Sequence, residues 1–226
     1  MEGLEVLAER RKTCDICCRL DSSSICNGSS FDFDPPVVSY WSQWLGHSRP
    51  KLLIVGQDFG SIQYFLDFRG KDDPGSPTNE NLRKLLQEAG IDVGAPPISD
   101  PNAPVFLTNS ILCLKHGSMA APIRTRWVRN CSSVHLRPLI ELLRPLVTVG
   151  MGTNGWTAVR NALKLSGVPE RIGEAAGKMW PTSPDHVVFA VGHCSGLGLV
   201  NRSWDKQVRD WKQIGEVLAT KARGAE

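Results

Sequence analysis

Apolar residues gather in four short runs, each bounded by turn residues. Leu52–Val55, Val105–Thr108, Leu146–Val149 and Val187–Val191 are rich in β-branched side chains and too short for helices, so they read as buried strands. Helical spacing fills the intervals. Leu82, Leu85, Leu86 and Ala89 share one face of a helix that Thr78 or Asn79 caps and Gly90 stops. Ser132 or Ser133 caps a helix through Leu143, and another covers Trp156 to Leu165. Ser203 opens a last helix with Trp204, Val208, Trp211, Ile214 and Leu218 in step. Leu4 to Lys12 reads as a short charged helix, and Val38 to Leu45 as one with an aromatic face of Tyr40, Trp41 and Trp44. Asp21–Pro36, Pro96–Pro104 and Pro169–Pro184 read as loops.

Strand followed by helix, four times over, predicts an α/β fold. It is a three-layer αβα sandwich with a central four-stranded parallel sheet. Residues 1–226 form one domain, with 1–50 as an N-terminal extension and 221–226 as a frayed tail. In such a sheet ligands bind outside the carboxyl ends of the strands. Those ends are polar here: Gln57-Asp58-Phe59-Gly60-Ser61 after the first strand, Asn109-Ser110 after the second, and His193-Cys194-Ser195-Gly196-Leu197 after the fourth.

Composition narrows the class without naming a reaction. The 226 residues are 41% hydrophobic and 22% charged, as in ordinary globular proteins. No apolar run approaches the ~20 residues of a membrane span, and the first residues lack a signal pattern. The net charge of +3 accommodates a nucleic acid but argues little for one. Seven cysteines, an odd number without an export signal, speak against a disulfide framework. A reducing cytoplasm with thiolate ligands is the expectation, and a monomer is the simplest state.

Asp58, Asn109 and His193 are mundane one at a time, since Asp and Asn are common turn residues. Brought to one rim they suit hydrolysis of a bond whose leaving group gains negative charge. An aspartate positions water and stabilises a cationic sugar. An asparagine offers donor and acceptor together and so reads an imide edge such as N3–H and O4 of uracil. A histidine donates to the oxygen that gains charge.

These segments resemble motifs of the uracil-DNA glycosylase superfamily. Gly56-Gln57-Asp58 is similar to the start of GQDPYH, Asn109 closes a strand as the base-reading asparagine does, and His193 to Gly198 resembles HPSPLS. The resemblance implies roles. Asp58 positions the water, Asn109 reads uracil, and His193 stabilises charge at O2. Gln57, Phe59 and Gly60 belong to the pocket, with Phe68 as the stacking aromatic ahead of Phe65 and Tyr64. Ser195, Ser61 and Arg202 contact DNA, and Leu197 is the wedge that fills the vacated stack. Lys115, Arg124, Arg126, Arg129 and Lys206 are further candidates for phosphate contact. The implied reaction leaves an abasic site, without a lyase step because no lysine stands at a motif position. Phe59-Gly60 replaces the motif's Pro-Tyr, whose tyrosine excludes thymine. Cys194 and Gly196 replace two prolines of the wedge loop, which points to single-stranded substrate.

A second resemblance lies in the cysteines. Cys14, Cys17, Cys113 and Cys131 are placed as in the iron–sulfur members, which implies a structural [4Fe–4S] cluster outside the chemistry. Cys18 or Cys26 could replace one ligand, and zinc suits the same set. Rival functions are a glycosylase for hypoxanthine or xanthine, a DNA-binding protein without catalysis, and a nucleotide hydrolase. The last lacks any phosphate-cradling glycine loop.

Overall fold

The computed structural model describes residues 2–17, 49–68, 73, 75–95, 98–99 and 104–223. The expected helix Val38–Leu45, the loop Asp21–Pro36, Cys18 and Cys26, most of Pro96–Pro104 and residues 224–226 lie outside the described residues. In chain order the elements are α1 (Glu2–Lys12), β1 (Leu52–Gly56), α2 (Ile62–Asp67), α3 (Pro77–Glu88), β2 (Gly94–Ala95), β3 (Ile98–Ser99) and β4 (Val105–Asn109). Then come α4 (Thr125–Cys131), a π-helical turn (Ser132–Leu136), α5 (Arg137–Leu143), β5 (Val147–Met151) and α6 (Gly152–Leu163). The chain closes with α7 (Ile172–Ala175), β6 (Lys178–Ser183), β7 (His186–Val191), α8 (Gly196–Asn201) and α9 (Trp204–Arg223).

The sheet order is β4-β1-β5-β7-β6. The first four strands are parallel, as the apolar runs predict, and the register sets Gly56 beside Asn109 and Met151 beside Val191. Alternation sends side chains to two cores. Leu53, Val55, Phe106, Val188 and Ala190 meet α1, α4, α5 and α6 on one face. Leu52, Ile54, Val149, Phe189 and Val191 meet α3 and α9 on the other. Three layers result.

Two differences from the expectation have physical reasons. The sheet has five strands, because β6 pairs antiparallel with β7 inside the stretch read as a loop. Five of the six β6 residues are exposed and Pro181 interrupts them, so the segment lacks the apolar signal of a strand. The helix before β5 begins at Thr125 rather than Ser132, and the π-helical turn joins α4 to α5 without a break. Only Trp127, Val128 and Cys131 of α4 are buried, too sparse a stripe to show a period. The caps also differ in detail: Ser76, with Pro77 behind it, opens α3. Among the described residues, no helix is long and apolar enough to cross a membrane.

Helix α1 packs on α5, with Leu4 and Leu7 buried beside Leu139 and Ile140. His135 of the π-helical turn is buried too, and its Nδ1 has no hydrogen-bond partner. Burial first, then Arg10 and Arg11, push its pKa from 6.5 down to about 4. The unfolded chain therefore takes up this proton more readily than the folded one. Stability from the neutral imidazole is complete above pH 6.5 and is lost as pH falls toward about 4. Denaturant melts of the protein and of His135→Gln, at about pH 7.5 and about pH 4.5, test this. The protein should lose roughly 2–3 kcal/mol more than the variant, from a shift worth about 1.4 kcal/mol per unit.

Candidate active site

Parallel pairing delivers the ends of β1, β4, β5 and β7 to one rim, and a cavity of about 560 Å³ opens there. Asp58, Asn109 and His193 all line it. Gln57 leaves β1 with its carbonyl accepting from Ser110 Oγ (2.6 Å) and its Oε1 accepting from Asn154 Nδ2 (3.1 Å). Both oxygens of Asp58 are engaged. Oδ1 accepts from the Gly60 N–H (2.9 Å), and Oδ2 is ion-paired with Lys115 Nζ. The side chains of this pair are 7% and 1% exposed, so each charge needs the other.

His193 follows β7. Its Nδ1 accepts from the Ser195 N–H (3.1 Å), so the neutral ring carries its proton on Nε2. Burial pushes its pKa down, and Asp58 pulls it partly back. The result is an uncharged donor, fit to stabilise an oxygen that gains charge without first bringing a positive charge of its own. The loop is fastened from behind. Gln207 Nε2 donates to the His193 carbonyl (3.1 Å), and Asn81 Nδ2 donates to that of Cys194 (2.8 Å).

The remaining expected residues divide. Gln57, Phe59 and Gly60 line the cavity. Phe68 does not. It is the C-cap residue of α2 and packs on Tyr64 with ring centres 4.8 Å apart. Folding of α2 carries Phe68 one helical turn beyond Tyr64, and the aromatic wall consists of Phe59, Tyr64 and Phe65. Ser61 and Ser195 are the N-caps of α2 and α8, accepting from Tyr64 N (3.1 Å) and Gly198 N (3.3 Å). Leu197 is 77% exposed and borders the cavity. Arg202 is engaged within the fold: Asp210 holds its guanidinium at 2.5 and 2.6 Å. Lys115 is likewise buried against Asp58 and cannot serve as a surface phosphate contact. Arg124, Arg129 and Lys206 are exposed.

Sequence reasoning missed three members of this site. Lys115 meets Asp58 from 57 residues away, Asn154 orients Gln57, and Met119 covers part of the cavity. Lys115 lies in a basic stretch, where spacing alone cannot separate a buried partner from a solvated one.

Three of the four expected cluster cysteines come together. Cys17, Cys113 and Cys131 face a small apolar void with Ile111, Leu114 and Trp127. Cys113 and Cys131 are pushed up, Cys131 to about 12, chiefly by burial and further by the other thiols, Cys14 included. Among the described residues, no three metal-ligating side chains stand close enough to hold a single ion.

A carboxylate, an amide and an uncharged imidazole thus line one cavity on an α/β rim. Residues 44–215 match the family model of the uracil DNA glycosylase superfamily, and the chain belongs to that superfamily. Membership places it among DNA glycosylases, hydrolases of base excision repair that act on DNA. No curated protein matches the chain closely enough to count as a relative.

The Arg202–Asp210 pair ties the loop after α8 to α9. Asp210→Ala should lower stability by roughly 2–4 kcal/mol in urea unfolding. That is somewhat less than a fully buried pair, because Arg202 keeps 23% exposure.

Proposed function

We propose that the protein removes uracil from DNA, favouring single strands, by hydrolysing the N-glycosidic bond to leave an abasic site. The observation that carries this reading is the convergence of Asp58, Asn109 and His193 on one cavity. Uracil flipped into it presents N3–H and O4 to the Asn109 side chain. As the bond between N1 and C1′ breaks, its electron pair passes into the base and charge builds at O2. The His193 Nε2–H donates to that oxygen. Asp58 faces the sugar, where its carboxylate stabilises the cationic C1′ and orients the water that adds to it. Phe59, Tyr64 and Phe65 supply the apolar wall for the ring.

Lys115 supports a reaction without a lyase step. Its ammonium donates to Asp58 and to the Met119 carbonyl, and it stands behind Asp58 rather than in the cavity lining. Exposed Leu197 suits a wedge. The preference for single strands rests on Cys194 and Gly196 in its loop, since an unpaired base needs no unstacking.

Single-turnover excision on oligonucleotides with one uracil, as single strand, opposite G and opposite A, tests the reading. Alkali-labile product should form, fastest from the single strand, and Asp58→Asn should slow it by roughly 10²–10³ while DNA binding persists, the range for losing one preorganised electrostatic contact. Absence of product from all three substrates, with binding intact, would sink it.

The four cysteines fit a [4Fe–4S] cluster better than zinc. Cys17, Cys113 and Cys131 share a void, yet among the described residues no three ligating side chains close on one ion, and after burial the thiols of Cys131, Cys17 and Cys14 push the Cys113 pKa up, a repulsion that a bound cationic group relieves. Cys14, Cys17, Cys113 and Cys131 would hold it, and it would tie the N-terminal segment to α4. Anaerobically purified protein should contain about four iron and four sulfide per chain with broad visible absorbance, and Cys113→Ser should lose both. One zinc and no iron would refute the assignment.

A further inference from the structure

A uracil ring held in this cavity has one edge that nothing above accounts for. With N3–H and O4 toward Asn109 and O2 toward His193, C5 lies directly across the ring from C2 and so points away from His193. His193 follows β7, which β1 and β5 separate from β4 in the sheet. The opposite wall is built by the segments after β1 and β4. There Gly60, Tyr64 and Met119 come together.

That wall is closely fitted. Gly60 has φ +84°, a left-handed conformation that favours glycine. A Cβ placed on it would lie 2.9 Å from Met119 Sδ and 3.2 Å from Tyr64 Cδ1. The methionine thus fills the space that any side chain at position 60 would need. Met119 belongs to an exposed loop and is itself 53% exposed, so apolar packing alone holds it weakly. Its main chain is pinned instead: the Met119 carbonyl accepts from Lys115 Nζ at 2.8 Å. The same ammonium is ion-paired with Asp58. Lys115 is also bridged to Ser61 through the backbone, beside the glycine that the methionine covers.

We infer that Met119 is the specificity-determining residue for the C5 position of the base, and that Lys115 is the positioning residue that holds it there. A hydrogen at C5 fits beneath the thioether. A methyl or hydroxymethyl group meets Met119, whose main chain Lys115 keeps in place beside the ring by its bond to the carbonyl. Because one ammonium holds both Asp58 and this wall, the water-positioning group and the size filter are set together. The inference rests on the uracil reading above.

The test is single-turnover excision of uracil, thymine and 5-hydroxymethyluracil from otherwise identical single strands. The protein, Met119→Ala and Lys115→Met are compared, and the readout is the ratio of the uracil rate to each 5-substituted rate. One methyl group in an apolar pocket changes rates by roughly 10–200-fold. Met119→Ala should therefore lower the ratio at least about tenfold. Lys115→Met should move it the same way and also slow uracil itself, a joint effect that simple loss of folded protein does not produce. Uracil excision with an unchanged ratio in either variant overturns this inference and leaves the uracil reading standing. No uracil excision by the unaltered protein overturns both.

Discussion

Four strands running in one direction are the constraint on which everything else hangs. Parallel hydrogen bonding aligns Gly56 with Asn109 and Met151 with Val191, so the chain leaves neighbouring strands at nearly one level. Each exit must turn at the same rim before its helix can cover a face. The polar residues of those turns are therefore neighbours in space even though 135 positions of sequence separate Asp58 from His193. The cavity is a by-product of the winding, and the chemistry depends on which side chains occupy its few exits.

Placing a carboxylate at such an exit has an energetic consequence. Asp58 is nearly out of water, and an unpaired charge there would cost several kcal/mol. The structure offsets that cost with one backbone N–H and one buried ammonium. The ammonium is in turn satisfied by a loop carbonyl. A polar network of this kind rigidifies what it joins when every member has a partner. It fixes the orientation of Asp58 before any substrate arrives, in keeping with catalysis by preorganised charge. His193 is handled in the opposite way. Burial keeps it uncharged, and a main-chain donor at Nδ1 selects the tautomer.

Much of this was legible in the sequence, for identifiable reasons. The parallel strands announce themselves because each is a buried apolar run with a polar end, and Gln57, Asp58, Asn109 and His193 follow from where those runs stop. The helix α9 shows a clean apolar stripe through Trp211, Ile214 and Leu218. What escaped reading has no periodic signature. β6 is exposed on most of its length, so pairing with β7 rather than burial makes it a strand. Lys115 looks like its basic neighbours until the fold closes on it. Phe68 differs from Tyr64 by one turn of a helix that the turn-rich context hides, and that turn decides which ring faces the cavity.

The antiparallel strand at the border of the sheet has a consequence for the protein in a crowded solution. A free strand edge offers a row of unpaired donors and acceptors to any other chain. On β6 that row is broken: Pro181 has no N–H to give, and the register shifts between Pro181 and Ser183. A net charge of +3 sets up little repulsion between copies. At this border it is the irregular backbone, more than charge, that discourages one molecule from adding its strands to another.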